Sequence, residues 1–557
     1  MDNLRVFLWA GLALMIWMSF DAWQKQFPPE PASMTAPQEP SADAGTPVSG
    51  AADDLPTLPE AAPPPASAGE VPALPGQATG GRTPQLITVR TDVFEVRIDL
   101  LGGDVASAKL LDYPLRKDRP DVPVQLLSGD PINYFAVRTG LRAGNDMPEA
   151  NHQSTFSAGQ STFRLADGAD ELVVPLTWTG EGDIRSRKIY RFRRGSYAIG
   201  LEQVVTNDGE QPYQAVSYLQ IRRVHNPPER SMFDVDSYSF VGPVLYDGDS
   251  YEKLKADDLA EQPVALTVDG GWIASIQHHF LAAAVPQAGE PANYSANYDG
   301  NSTLISVIDK TFRTIRPGET GSFESTLFIG PKLQSQLSQI NDTLTLTVDY
   351  GLLTILAQPL FWLLQKIFNI IGNWGWTIVV VTFLIKLVFY KLTEKSGRSM
   401  AKMRKLAPRL KSVQERYKDD REQLSRAMMD LYKREKVNPA AGCWPMLIQI
   451  PFFIAFYWVL LESVEMRQAP FMLWITDLST RDPYFILPLL MGAAMFFQQK
   501  LNPPPPDPMQ AKVMQFLPVM FTAMFAFFPA GLVLYWLTNS VLSMAQQWRI
   551  NKVIGAD

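Results

Sequence analysis

Cysteine and histidine are scarce in this 557-residue chain, which has one cysteine, Cys443, and four histidines. A single cysteine cannot form an intramolecular disulfide, so the fold cannot depend on a disulfide framework. The sequence also lacks the Cys/His spacing of zinc sites, a Walker phosphate loop and a G-x-S-x-G nucleophile elbow. We therefore expect a protein that is not an enzyme and that holds no metal or cofactor.

An excess of positive charge is also missing, because 50 Lys and Arg residues stand against 57 Asp and Glu residues. The net charge of −7 argues against nucleic acid as a substrate. A hydrophobic fraction of 46% and a mean hydropathy of −0.06 are typical of soluble proteins. These averages conceal blocks of opposite character that follow one another along the chain.

The amino-terminal segment is apolar and is followed by a proline-rich stretch. Residues 6–20 carry no charge, and large residues such as Trp17 and Phe20 stand where a cleaved signal peptide needs small ones. We predict that residues 1–24 form an uncleaved transmembrane anchor. Residues 25–84 are rich in Pro and Ala and have few large apolar side chains, so we predict a disordered linker there.

Residues 85–335 show the patterning of β-strands. Phe94, Val96 and Ile98 alternate with charged residues, and a Gly-Gly step marks the turn that follows. Short runs of this kind recur between turn signals, and the segment has no convincing helical block. The pattern predicts a large β-sandwich domain.

The predicted β domain offers little chemistry, although it contains all four histidines, His152, His225, His278 and His279. The adjacent pair would point to opposite faces of a strand, which makes it a poor metal clamp. An epimerase-like sugar site would need a histidine and an acidic residue on opposite sides of a cleft. The sequence does not exclude such a pair. A membrane-anchored periplasmic protein that binds or modifies sugars therefore stays an alternative.

Long apolar segments dominate the chain from residue 350 onward. Residues 350–371 place apolar positions on one helical face but also carry Gln358 and Lys366, which predicts an amphipathic helix at the membrane interface. Five apolar segments then follow, each able to span a bilayer with help from flanking residues. They cover residues 374–391, 443–461, 484–500, 512–528 and 530–548. With the anchor they predict six spans, five of which form one helical core over residues 372–550.

Lysine and arginine are concentrated between the first and second core segments. Residues 392–438 predict a helical hairpin that breaks at Asp419-Asp420. Its many basic residues place the hairpin in the cytoplasm, because short positive loops stay on that side. An even number of spans then places both termini in the cytoplasm and the β domain on the opposite side of the membrane.

Lys386 lies inside the first core segment, where a charge is costly unless it faces protein or water. Thr382 precedes it by one helical turn, and polar side chains, Ser543 among them, recur on the other segments. We predict a polar cavity lined by Lys386, Thr382, Gln449, Tyr535, Trp536 and Asn539. Two alternatives stay open: Lys386 extends to the lipid headgroups, or it is the substrate or proton site of a secondary transporter.

The cytoplasmic hairpin carries a candidate contact surface for apolar partners. Its members are Met400, Met403, Arg404, Met428 and Met429. Flexible, polarisable methionine side chains adapt to partners of different shape. The alternative is a solvated hairpin whose charge only sets the topology of the membrane segments.

Four segments of the membrane block resemble the YidC family of membrane-protein insertases of Gram-negative bacteria. They are residues 438–445 (NPAAGCWP), 464–470 (VEMRQAP), 482–488 (DPYFILP) and 528–536 (FPAGLVLYW). The order of anchor, linker, β domain, surface helix and five-helix core is similar to that family from end to end. The resemblance implies an α-helical bundle with six spans and a periplasmic, supersandwich-like β-sandwich. It also implies an insertase and chaperone of the bacterial inner membrane that works with or without the Sec translocon.

The resemblance further implies a hydrophilic groove that is open to the cytoplasm and the lipid. The family usually has an arginine on the first core span, where this chain has Lys386, and Thr382, Tyr535 and Trp536 match positions of substrate contact. The implied partners are nascent membrane proteins, membrane lipids, the Sec translocon and the ribosome. Because the sequence has no long basic tail before Asp557, we expect ribosome docking to depend on residues 500–512 and on the hairpin.

Overall fold

The computed structural model describes residues 55–56, 85–144, 147–227, 239–287, 289–417, 420–435, 444–501 and 508–554. The predicted anchor and nearly all of the predicted linker lie outside these residues. Leu55 and Pro56 of the linker are described, and both contact the β domain. Leu55 packs against a small apolar cluster that includes Tyr218, and the Arg142 guanidinium donates a hydrogen bond to the Pro56 carbonyl. At these two positions the linker is bound to the domain, which its composition did not predict.

Twenty strands are described between residues 86 and 331. They are β1 (Leu86–Arg90), β2 (Phe94–Asp99), β3 (Asp104–Arg116), β4 (Arg119–Leu127), β5 (Phe135–Ala143), β6 (Ser157–Ala158), β7 (Thr162–Arg164), β8 (Glu171–Thr179), β9 (Ile184–Arg193), β10 (Ala198–Asn207), β11 (Tyr213–Val224), β12 (Gly242–Tyr246), β13 (Tyr251–Lys253), β14 (Val264–Asp269), β15 (Trp272–Gln277), β16 (Phe280–Pro286), β17 (Pro291–Tyr298), β18 (Ser302–Asp309), β19 (Arg313–Ile315) and β20 (Thr320–Pro331). In β2 the apolar residues Phe94, Val96 and Ile98 are buried and Arg97 is exposed, as the alternation predicts.

The strands form two sheets. One has the order β14-β17-β18-β11-β5-β3-β2-β1-β7, with β4 paired to β3 and β19 paired to β11. The other has the order β13-β12-β15-β16-β20-β10-β9-β8-β6. β1 and β7 are parallel, and the other described pairs are antiparallel. Apolar residues of both sheets share one hydrophobic core, which confirms the prediction of a large β-rich domain.

A buried ion pair lies inside this domain. The Lys188 side chain is 1% exposed, and its ammonium donates to the carbonyl oxygens of Gly102 at 2.6 Å and Thr139 at 2.8 Å. It lies 3.8 Å from the Asp104 carboxylate, which accepts a hydrogen bond from the Thr139 amide. Burial raises the pKa of Asp104 and lowers the pKa of Lys188, because desolvation disfavours both charged forms. The two carbonyls and the carboxylate together take the place of water around the ammonium in the core.

Ten α-helices are described. They are α1 (Ala256–Glu261), α2 (Gln334–Ile340), α3 (Thr354–Ile371), α4 (Trp374–Val388), α5 (Tyr390–Arg416), α6 (Arg421–Arg434), α7 (Trp444–Glu462), α8 (Ile486–Lys500), α9 (Pro508–Phe525) and α10 (Ala530–Ile554). The short helices α1 and α2 belong to the β domain, where the sequence shows no helical pattern. The helices α3 to α10 form the helical block that the apolar segments predict.

A Gly-Asn step separates α3 from α4. Gly372 adopts a left-handed φ of 71°, which favours glycine and ends α3. The Asn373 side chain accepts a hydrogen bond from the Trp376 amide at 3.1 Å and so begins α4. Asn373 also donates to the Phe471 carbonyl at 3.0 Å. The cap therefore ties the start of α4 to the loop of residues 463–485, which we name the outer loop.

Among the described residues, one helix, α3, is long and apolar enough to cross a membrane by itself. Its mean hydropathy is 1.3 over 18 residues. Helix α4 and the first part of α5 meet the same criterion together, but they are bent by 62° around Phe389. Shorter apolar stretches lie at Ile450–Glu462 and Met514–Phe525. The helix predicted over residues 374–391 thus ends at Val388. The number of spans and the surface position of α3 stay predictions.

Helices α5 and α6 follow one another in the segment for which a hairpin is predicted. The Asp420 carboxylate accepts hydrogen bonds from the amides of Glu422 at 3.0 Å and Gln423 at 2.9 Å, and so begins α6. Arg409 of α5 forms a 2.6 Å ion pair with Glu435, directly after α6. The two helices thus lie on either side of the break predicted at Asp419-Asp420. Asp420 is described, and Asp419 lies outside the described residues.

The β domain contacts the helical block at the outer loop. In the turn between β3 and β4, the Lys117 ammonium donates to the Gln468 carbonyl at 3.1 Å. The Pro114 carbonyl accepts hydrogen bonds from the Arg467 guanidinium at 2.8 Å and from the Gln468 side-chain amide at 3.0 Å. Hydrogen bonds therefore hold the outer loop from the Lys117 side chain in the β3–β4 turn and from the backbone near the end of β3.

His278 and His279 lie at the same junction, and the prediction that they point to opposite faces of a strand is wrong. They occupy the turn between β15 and β16, with their ring centroids 3.7 Å apart. Both contact the Leu461 carbonyl, at 3.0 Å from His278 and 3.3 Å from His279. Alternation applies to extended strands, whereas this turn brings the two successive side chains together. Burial lowers the pKa of His279, which favours a neutral ring at this contact.

We expect Lys188→Met to destabilise the β domain by about 3–5 kcal/mol, because the buried Asp104 carboxylate and two carbonyls lose their partner. Thermal unfolding of the full chain in detergent, read out by proteolysis of the β domain, measures this loss. The control is Lys109→Met, which removes a 3.5 Å pair with Glu95 near the surface and should cost at most about 1 kcal/mol. Equal unfolding temperatures for the two variants would contradict the role of the Lys188 network.

Candidate functional site

Lys386 lies on the last turn of α4 and faces α10. Its ammonium donates a 2.8 Å hydrogen bond to Ser543 Oγ, and Ser543 Oγ donates a 2.7 Å hydrogen bond to the Asn539 carbonyl. The Lys386 side chain is half-buried. A short series of hydrogen bonds therefore connects the charge on α4 to the backbone of α10.

Lys386 forms no ion pair within the part of the chain that the structure describes. A hydroxyl oxygen solvates an ammonium without neutralising it, and it occupies one of the three N–H donors. The positive charge and two donors thus remain for another group. This arrangement suits an incoming carboxylate or carbonyl.

Thr382 lies one turn before Lys386 and is 1% exposed. Its hydroxyl donates a 2.6 Å hydrogen bond to the Ile378 carbonyl of the same helix. The proton of Thr382 is therefore already used by its own backbone, as is common for threonine within apolar helices. Thr382 lies in the packed interior beside Lys386, and Lys386 lies nearer the surface of the bundle.

Two aromatic residues of α10 pack against α7. Tyr535 is buried and stacks on Phe456, with ring centroids 4.6 Å apart. Trp536 makes an edge contact with Phe453 at 4.6 Å. The buried Trp536 Nε1 has no hydrogen-bond partner among the described residues, and leaving such a donor unpaired costs about 1–3 kcal/mol. An incoming carbonyl group would satisfy this donor.

The polar residues of α10 follow one face of the helix. Trp536, Ser540 and Ser543 are separated by four and three residues, a spacing that aligns side chains on an α-helix. Asn539 is half-buried beside this face and contributes its carbonyl to Ser543. The side chain of Gln449, on α7, lies outside the described part of the chain, so its place in the cavity stays a prediction.

Ser543 is the residue that sequence reasoning does not single out. The sequence shows it only as one of several polar residues in apolar segments. The structure identifies it as the partner of Lys386. Its spacing of seven residues from Trp536 is the signal that places both on one face of α10.

The outer loop closes one end of the bundle. Asp482 is 0% exposed, and its carboxylate accepts hydrogen bonds from the Trp474 indole at 3.1 Å and from the Leu487 amide at 2.7 Å. The Ala530 amide donates to the Thr480 carbonyl at 2.7 Å. The loop is therefore tied to the starts of α8 and α10, at the end of the bundle opposite the hairpin.

Large apolar side chains are exposed around the helical block. They include Ile355, Trp362, Ile370, Trp376, Phe383, Leu387, Val388, Leu489, Leu490, Phe496, Phe497, Phe516, Val519, Val541, Trp548 and Val553. Exposed apolar surface of this extent is typical of contact with a membrane or a partner. We call these residues the apolar shell. Lys386 and Ser543 contact one another between helices that carry this shell.

On the hairpin, Met403, Met428 and Met429 are half-buried. The side chains of Met400 and Arg404 lie outside the described part of the chain. The methionine contact surface therefore stays a prediction.

The histidines of the β domain are engaged in packing contacts. His152 Nδ1 lies 2.7 Å from the buried Tyr218 hydroxyl, and the His225 ring packs against Tyr298 with centroids 5.7 Å apart. Among the described residues, no group of three or more His, Cys, Asp or Glu side chains is placed to hold a metal ion.

Two family models match this chain. The model described as the YidC periplasmic domain matches residues 86–363, and the model described as 60Kd inner membrane protein matches residues 366–556. The two matches divide the chain near the point where the β domain gives way to the helical block. Together they cover both parts of the described structure.

Relatives are similar over the full length of this chain. A membrane protein insertase YidC of Nitrosococcus oceani is 46% identical over 557 residues, and one of Thioalkalivibrio sulfidiphilus is 45% identical over 563 residues. Each match covers 100% of this chain and 99% of the relative.

A solved structure, described as an active YidC insertase with its first transmembrane domain resolved, is 17% identical. The match covers 84% of this chain and 92% of that one with a TM-score of 0.38, which does not establish a common arrangement. The full-length identity to curated relatives confirms the resemblance of the four segments of the membrane block. This chain belongs to the YidC family of membrane protein insertases.

Proposed function

We propose that this chain inserts nascent membrane proteins into the bacterial inner membrane and helps them to fold, using the polar site between α4 and α10. The observation that carries the proposal is the Lys386 ammonium, held by the Ser543 hydroxyl between helices of the apolar shell. The names of the relatives, membrane protein insertases, and of the matching inner membrane family support it.

The positive charge acts on the flank of the substrate that must cross the membrane. An acidic or polar flank loses water when it enters an apolar bundle, and the Lys386 ammonium offsets part of that cost. The adjoining apolar segment gains free energy when it leaves the site and partitions into lipid. This partitioning drives insertion, so the reaction needs no nucleotide.

The proposed topology gives the site two different ends. The outer loop and the β domain lie in the periplasm, and the hairpin and both termini lie in the cytoplasm, with six spans between the two sides. The basic residues of the hairpin support this orientation, because positive loops stay inside. A substrate then enters from the cytoplasmic end and leaves into the lipid, while the Asp482 network keeps the outer end closed.

The proposed further partners are membrane lipids, the Sec translocon and the ribosome. The apolar shell supports contact with lipid acyl chains. The exposed side chains of Lys402 and Lys405 on the hairpin support an electrostatic contact with an acidic partner such as the ribosome. In this proposal the chain handles some substrates alone and others together with the Sec translocon.

We expect a photo-crosslinking residue in place of Trp536 or Asn539 to capture a single-span substrate with an acidic external tail during insertion. Trp536 lies on the polar face of α10 and Asn539 lies beside it, where the flank is proposed to pass. The same residue in place of Ile355, which is exposed on α3, should give much less product. Capture at Ile355 alone would place the substrate outside the polar site and contradict the proposal.

Lys386→Ala should slow insertion of the acidic tail about tenfold or more, because a hydrogen bond to a charged group contributes about 1.5–3 kcal/mol. A matched tail with amides in place of carboxylates should insert at nearly the same rate in Lys386→Ala as in the unchanged chain. Lys386→Arg keeps the charge and should retain most of the activity. Protease protection of the tail in proteoliposomes measures each rate.

The control for these rates is Lys366→Ala, which removes an exposed lysine of α3 and should leave both tails unaffected. An unchanged rate of the acidic tail in Lys386→Ala would contradict the proposed role of the charge and favour a lysine that only extends to the headgroups. Uptake of a small solute by the same proteoliposomes, lost in Lys386→Ala, would instead favour a secondary transporter.

A further inference from the structure

We infer that Ser543 is a positioning residue for Lys386: its hydroxyl holds the ammonium between α4 and α10, where the charge meets the acidic flank of a substrate. The inference rests on the proposed function and adds a determinant of substrate selectivity to it. Ser543 acts through Lys386, so it need not touch the substrate itself.

Hydrogen bonding sets the direction of the Ser543 hydroxyl. A hydroxyl group has one proton and two acceptor lone pairs. The proton is donated to the Asn539 carbonyl at 2.7 Å, which leaves the lone pairs for the Lys386 ammonium at 2.8 Å. The opposite orientation would turn the proton toward a positive charge. Ser543 is therefore oriented as an acceptor for Lys386 before any substrate arrives.

Without Ser543 the ammonium has another place to go. Lys386 lies on the last turn of α4, which ends at Val388, and the next lysine, Lys391, is already exposed on α5. A lysine has a flexible four-carbon stem, so its charged end can extend toward water at that end of the bundle. The Ser543 hydroxyl is the hydrogen-bond partner that the described structure provides against this movement.

Packing around the pair fixes the register between the helices. About one turn further along, the Gln546 side chain donates a 3.3 Å hydrogen bond to the Tyr390 carbonyl. Beyond it, Gly397 approaches α10 so closely that an added Cβ would lie 2.7 Å from the Ile550 side chain. These contacts keep α10 from sliding past α4 and α5, so the serine stays opposite the lysine.

The position of the charge has a selective effect. A substrate flank with carboxylates gains from an ammonium that stays within the bundle, and it loses this gain if the ammonium moves to the headgroups. A neutral flank of the same size has no such dependence. Removal of the Ser543 hydroxyl should therefore change the ratio of the two insertion rates rather than both rates together.

The test compares Ser543→Ala and Ser543→Thr in the full chain, reconstituted in vesicles of phosphatidylethanolamine and phosphatidylglycerol. The probes are two single-span proteins whose external tails carry either aspartates or asparagines at the same positions. Ser543→Ala should slow the aspartate tail about fivefold and leave the asparagine tail within about twofold. Ser543→Thr keeps the hydroxyl and should restore the rate of the aspartate tail.

The matched control is Thr538→Ala, which removes a hydroxyl from the same helix at a position rotated by about 140° from Ser543. It should leave the ratio of the two rates unchanged. The double variant Lys386→Ala/Ser543→Ala should be no slower than Lys386→Ala alone, because the serine acts through the lysine.

Two sets of results separate failure of this inference from failure of the proposed function. If Ser543→Ala slows both tails equally, changes neither, or adds its full effect to Lys386→Ala, then Ser543 is not a positioning residue and the proposed function stands. If Lys386→Ala itself leaves the aspartate tail unaffected, the proposed role of the charge fails, and the inference fails with it.

Discussion

A positive charge within an apolar helix bundle needs polar partners, because a charge inside an apolar span is costly, up to about 2.5–3.5 kcal/mol at its centre on insertion scales. Lys386 meets this requirement through the Ser543 hydroxyl. The requirement shapes its surroundings, since α4 and α10 must lie close together and the Asn539 carbonyl must accept the serine proton. The Thr382 hydroxyl donates its hydrogen bond within α4, so Thr382 does not supply its proton to α10, whereas Lys386 donates to Ser543 across the two helices.

The same need to pair buried polar groups explains the outer end of the bundle. A loop that packs against helix ends buries backbone amides, and each of these needs an acceptor. Asp482 supplies acceptors for the Trp474 indole and for the Leu487 amide, so the outer loop can turn directly into α8. The end of β3 and the β3–β4 turn add further hydrogen bonds from the β domain. At the other end, most of the charged hairpin side chains that the structure describes are exposed, and some form ion pairs there, such as Arg409 with Glu435.

Sequence patterns predict those features that depend on neighbours along the chain. The alternation in β2, the run of apolar helical segments and the charge within one of them can all be read locally. The contact between Lys386 and Ser543 cannot, because it joins positions 157 residues apart and depends on how two helices pack. The contact of the β3–β4 turn with the outer loop spans 351 positions and is equally non-local. The error at His278 and His279 has a different origin, since a turn replaces the strand that the alternation rule assumes.

The choice of a hydroxyl as the partner of Lys386 matters for the proposed function, in which the site must attract a flank and then release it. An aspartate in place of Ser543 would neutralise the ammonium, and an acidic flank would have to displace a fixed carboxylate that is already desolvated. A hydroxyl holds the ammonium in place through one lone pair, and among the described residues the charge and two N–H donors have no further partner. The flank can then interact strongly enough to enter, and no ion pair has to break before it does. In this proposal, when the apolar segment moves into lipid and draws the flank away, the ammonium still donates its hydrogen bond to the Ser543 oxygen, so the site returns to its starting state.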